Sequence, residues 1–103
     1  IKPTEKEFEI LSVLWQEGSA TVKLVHEKLA SKTGYTTTLK LMQIMFEKGI
    51  VKRDTTTKQH IYKANYTKDQ AKEYKVKQML LELFDDDKAL LIAYLSEPST
   101  TNS

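Results

Sequence analysis

A chain of 103 residues, 40% hydrophobic and 29% charged, has room for one domain, or one small domain with an appendage, around a modest core. It has no Cys, which excludes a disulfide framework and a thiolate metal site. It has no apolar run of about 18 residues and no signal-type apolar segment, so no membrane insertion and a cytoplasmic location are expected.

The formal net charge of +2 is unevenly spread. From Lys23 to Lys63 there are nine Lys/Arg against three acids, whereas Ile1 to Val22 carries two Lys against four Glu. The middle of the chain is therefore either a surface for a polyanion or an ordinary solvated Lys-rich face. The start at Ile1 rather than Met leads us to expect a few residues ahead of it.

Thr4-Glu5-Lys6-Glu7 fits a capping box and opens the first predicted helix. Phe8, Leu11, Leu14 and Trp15 form its inward stripe, and Gly18 ends it. Ser19-Ala20 is too short for an independent strand but can pair with a later hairpin. Thr21 caps a second helix with Val22, Val25, His26 and Leu29 on one face, ended by Lys32-Thr33-Gly34. His26 has no second His or acid at metal spacing, and His60 is far off in sequence, so no metal site is expected.

Thr36-Thr37-Thr38 opens the third helix, with several Thr able to serve as N-cap. Leu41, Met42, Met45 and Phe46 should be buried. Thr37, Lys40, Gln43, Ile44 and Glu47 then point outward, with Leu39 at the boundary. After Lys48-Gly49 come two β-prone runs, Ile50 to Arg53 and His60 to Lys63, joined by the long polar turn Asp54 to Gln59. Alternation sets Val51 and Arg53 against Ile50 and Lys52. A helix followed by a hairpin is the order of a recognition helix and its wing.

Thr67-Lys68-Asp69-Gln70 is a further capping box, opening a helix that runs to about Phe84. Asp85-Asp86-Asp87 breaks it and caps a last helix, Ala89 to Leu95, that is apolar on every side. So much apolar surface calls for a second copy of the chain, through Tyr74, Met79, Leu80, Leu83, Phe84, Leu90, Leu91, Tyr94 and Leu95, unless these helices fold back on the first domain. The fold class is mainly α with a small β-hairpin. A winged helix-turn-helix spans residues 1–66, helical dimerisation residues span 67–97, and a tail that reads as disordered spans 98–103.

The N-terminal T-E-K-E-F-E-I-L-S-V-L-W, the segment Y-T-T-T-L-K-L-M-Q-I-M-F-E-K-G and the following K-G-I-V-K-R-D resemble the penicillinase-repressor family from about Thr4 to Leu95. The resemblance implies a homodimer on a palindromic double-stranded DNA operator, repressing genes downstream. It also implies a membrane sensor protease whose signal leads to cleavage in the dimerisation region. Three departures stand out. There is no C-terminal Cys pair of the copper-responsive kind, the final helix expected after Leu95 in longer members is absent or not included, and Leu39 and Ile44 lie where polar or basic residues are more usual.

The third helix should enter the major groove by its N-terminal end. Thr36, Thr37 and Thr38 can bond phosphate or base, Gln43 can pair with adenine, and Lys40 can reach guanine or phosphate. Leu39 or Ile44 can lie against a thymine methyl. Lys52, Arg53 and Lys58 on the wing are candidates for phosphate contacts, although Arg53 could instead pair with Asp54 or Glu47. Each has a plain alternative as solvated or core surface. A winged helix can also bind proteins, and the exposed Leu39 and Ile44 fit such an interaction module. No acid/base pair, nucleophile elbow, P-loop or cofactor motif is present, so no enzyme activity and no cofactor are expected.

Overall fold

The computed structural model describes residues 2–30 and 32–97. The tail expected at 98–103 lies outside them. The chain divides into two compact units, Ile1–Lys68 and Asp69–Ser103.

In the first unit, helix α1 (Glu5–Glu17) starts on a reciprocal cap. The Thr4 hydroxyl accepts from the Glu7 amide at 3.2 Å, and the Glu7 carboxylate accepts from the Thr4 amide at 2.9 Å. Gly18, at φ 85°, closes the helix with its amide on the Leu14 carbonyl. The buried face is Ile10, Leu11, Val13 and Leu14; Phe8 and Trp15 are only half-buried. The expected stripe was too narrow because α1 packs against α2 (Val22–Lys28), α3 (Tyr35–Glu47) and β2 (Ile61–Ala64) together. Trp15 stays at the border, where its indole N–H donates to the Tyr66 carbonyl at 2.9 Å.

Ala20 and Tyr62 exchange both backbone hydrogen bonds, at 3.0 and 2.8 Å, so the Ser19-Ala20 segment does pair with the hairpin. Thr21 caps α2 through the Leu24 amide. The helix stops at Leu29, whose backbone turns extended while its side chain stays against the core, earlier than the Lys32-Thr33-Gly34 stop expected.

Helix α3 begins at Gly34 with no side-chain cap, not at a Thr. The three Thr fall inside its first turns. Its buried face is Thr38, Met42 and Met45, at i, i+4 and i+7; Leu41 is half-buried and Phe46 is exposed, so the core face is rotated from the one expected. Gly49, at φ 80°, turns the chain into the hairpin, where a side chain would be strained. Strands β1 (Val51–Asp54) and β2 run antiparallel, each one residue later than the β-prone run suggested. Val51 and Tyr62 face the core; Lys52 and Lys63 face away.

In the second unit, α4 (Lys68–Leu83) ends where Asp85 and Asp86 take left-handed backbone, a conformation Asp tolerates. The Asp86 amide reaches back to the Leu80 carbonyl at 2.7 Å. Asp87 then caps α5 (Lys88–Ser96) by accepting from the Ala89 amide, as the acidic triplet suggested. No residue of α5 is buried.

Candidate nucleic-acid interface

Three pieces of backbone bring the candidate groups together. The cap and packing of α1 form a base. On it α3 is held by Thr38, Met42 and Met45, which turns Thr36, Thr37, Lys40 and Gln43 outward, all exposed. Leu39 is half-buried beside them, and Ile44 is 37% exposed on the same helix. Past Gly49 the hairpin carries Lys52 and Lys58, both exposed.

Two candidates are placed differently from the rest. Thr38 is fully buried, and its hydroxyl donates to the Gly34 carbonyl at 3.1 Å. It has no outward surface to offer a base. Arg53 is half-buried, with its guanidinium 4.0 Å from the centre of the Phe46 ring. It pairs with neither Asp54 nor Glu47; its Nε is buried without a hydrogen-bond partner. An aromatic face, not an acid, holds this cation.

One basic residue escaped the sequence reading. Lys63 lies directly opposite Lys52 across the hairpin, and both are exposed. Like charges at paired positions repel, a cost that an anion laid over the ribbon would offset. The alternation of β2, with Tyr62 inward, was the available signal. Among the described residues, Lys40, Lys52, Lys58 and Lys63 make no ion pair. Four uncompensated cations on one helix face and one ribbon make a surface of positive potential.

The wing tip is ordered by its own turn chemistry. Asp54 accepts from the Thr56 amide at 2.9 Å and from its hydroxyl at 2.7 Å. These bonds, the amide first, hold its carboxyl below the ordinary value of 3.8. Among the described residues no cluster of three or more His, Cys, Asp or Glu is placed to hold a metal, and no helix is long and apolar enough to cross a membrane.

Three helices with the third turned outward, followed by a paired basic hairpin, define a winged helix-turn-helix protein. The chain belongs to the penicillinase repressor family, whose model matches residues 3–103. It is thus a transcriptional regulator of repressor type, from a family of DNA-binding regulators and not of enzymes. No curated protein matches the chain.

Proposed function

We propose that the protein represses transcription in the cytoplasm by binding a palindromic operator as a homodimer. The observation that carries this reading is the outward polar face of α3, Thr36, Thr37, Lys40 and Gln43, beside a hairpin of unpaired lysines. The helix lies in the major groove, with Gln43 on adenine and Leu39 or Ile44 against a thymine methyl. Lys40, Lys52, Lys58 and Lys63 take phosphates, which fix register without specifying sequence.

The second unit supplies the symmetry. Leu83, Leu90, Tyr94 and Leu95 are 72%, 46%, 57% and 71% exposed, and Tyr74, Met79, Phe84 and Leu91 are half-buried. Leu80 is buried at 6% within a single chain. Ile92, at 61%, joins the apolar surface. Covering these side chains with a second copy links two half-site readers, so that the second binds at high effective concentration. A cut between Met79 and Leu95, made through a membrane sensor protease, separates the halves and lifts repression.

Selection of bound sequences from a random duplex pool tests this reading. An inverted repeat is expected; a single unrepeated site, or no enrichment, refutes the dimer on a palindrome. The exposure of Ile44 favours a second reading, a protein-binding winged helix. A flat salt dependence of binding to random duplex would select it, whereas phosphate neutralisation gives a steep negative slope.

A further inference from the structure

Between α2, the first half of α3 and the tip of the hairpin lies a cleft of about 540 Å³, a size that suits a small organic ligand. Its floor is apolar: Val22 and Tyr62 are buried and Leu39 is half-buried. One wall is aromatic, with the His26 and Tyr35 rings set edge to face at 5.7 Å. Lys23 and Lys58 stand at the rim against a single acid, Glu27. Among the described residues neither lysine is in an ion pair.

One observation points to an occupant. Tyr35 keeps 47% of its surface open although its ring meets that of His26 edge to face. An apolar floor, a half-open tyrosine ring and a surplus of rim cations are complementary to a flat, apolar molecule carrying one negative group.

We propose that this cleft binds a small aromatic anion, one ring bearing a carboxylate or phosphate, and that its occupant and duplex DNA exclude one another. The exclusion rests on the DNA-binding reading above; the binding does not. It follows from shared residues, since Leu39, Gln43 and Lys58 line the cleft and also belong to the proposed DNA face. An occupant seated there takes the side of α3 that the duplex needs, and so provides a reversible route to derepression that breaks no peptide bond.

The test uses the full chain, phenyl phosphate as probe, and inorganic phosphate and phenol as controls. Amide spectra should show saturable shifts at Val22, Tyr35, Leu39 and His60, with each control at least about tenfold weaker. Lys23→Ala should weaken the probe roughly tenfold, the size of one lost charge-assisted contact, without moving the melting temperature. Saturating probe should release a labelled duplex. Equal response to inorganic phosphate, or no saturable shift, overturns the site. A duplex that stays bound at saturation overturns the exclusion. If Lys23→Ala weakens the duplex while phenyl phosphate does not bind, the cleft seats a DNA backbone and the proposal fails. If phenyl phosphate saturates the cleft but no duplex binds under any salt, the ligand site stands and the failure belongs to the DNA reading.

Discussion

Glu7 and Lys48 are 41 residues apart in sequence, yet the Lys48 ammonium lies 3.0 and 3.1 Å from the two carboxylate oxygens of Glu7. Glu7 is simultaneously the capping-box acid of α1, and Lys48 is the C-cap of α3. One carboxylate, 1% exposed, thus ties the start of the first helix to the end of the helix proposed to read DNA. The partners are unequal. The Lys48 side chain is 43% exposed and can return to water; that of Glu7 cannot.

That inequality orders two substitutions. Lys48→Met strands a buried carboxylate and should cost about 1–2 kcal/mol, discounted from a fully buried pair for the exposure of the lysine. Glu7→Gln keeps an acceptor for the Thr4 amide and lets Lys48 solvate, so it should cost about 1 kcal/mol or less. Chemical denaturation of both variants measures the order. If Glu7→Gln proves the more damaging, the carboxylate is not held as described.

Arg53 and Lys58 should behave differently toward duplex DNA. Lys58→Ala removes an exposed cation and should lower the slope of log affinity against log salt by about one unit, equally for all sequences. Arg53→Gln removes a cation already engaged with Phe46 at 4.0 Å. It should leave the slope unchanged while costing about 0.5–1 kcal/mol of stability. A slope that falls for Arg53→Gln as it does for Lys58→Ala would mean the guanidinium leaves its ring to meet the phosphates.

On one helix Thr38 belongs to the scaffold, and Gln43 is proposed to read a base. Thr38→Val keeps the shape and loses one hydroxyl donor, and the Gly34 carbonyl still accepts the Thr38-position amide. A stability loss of about 0.5–1 kcal/mol with unaltered base preference is expected. Gln43→Ala should leave stability nearly untouched. It should cost roughly 1–3 kcal/mol in operator binding and relax preference at one base position. Parallel sequence selections on the two variants check both halves of the contrast; a changed preference in Thr38→Val would refute it.

At the wing tip the sign of the pH effect follows from a depressed carboxyl. Asp54 is held below 3.8 by the Thr56 amide and then its hydroxyl, so the ordered turn is present at neutral pH and is lost as pH falls through the lowered value. Thr56→Ala removes the hydroxyl and leaves the amide, so the midpoint should rise part of the way back toward 3.8. Carboxyl-carbon titration by NMR reads both. A wild-type midpoint at or above 3.8 would contradict the turn.

These residues show where the sequence was readable. The cap at Thr4, the stop at Gly18 and the capping Asp87 were legible because each is decided by chemistry within four residues. So was the alternation that sets Val51 and Arg53 on one side of the hairpin and Lys52 on the other. The start of α3 was not. Three consecutive Thr offered equivalent caps, and packing beneath the helix drew Thr38 into the core and moved the start back to Gly34. The fate of Arg53 depended on Phe46, whose ring stayed outside the core because Met42 and Met45 filled it. The pairing of Glu7 with Lys48 and the convergence of His26, Tyr35 and Lys58 on one cleft are products of tertiary placement, and no local pattern carries them.

Dimerisation through the second unit is testable without disturbing the fold of the monomer. Leu83 and Leu95 are 72% and 71% exposed, so replacing either by Glu removes no core packing. Burying a Leu side chain in an interface contributes roughly 1.5–3 kcal/mol, and a carboxylate there adds a desolvation cost without a partner. Leu83→Glu with Leu95→Glu should therefore convert a species of twice the 11.9 kDa chain mass into the monomer, with helical content retained. Sedimentation equilibrium reads the mass and circular dichroism the helix. Operator affinity should fall by about 10²–10⁴-fold, as expected when avidity is lost, while binding to one half-site persists. A doubly substituted chain that remains dimeric would move the interface elsewhere. A monomer that still binds the full operator tightly would detach affinity from symmetry.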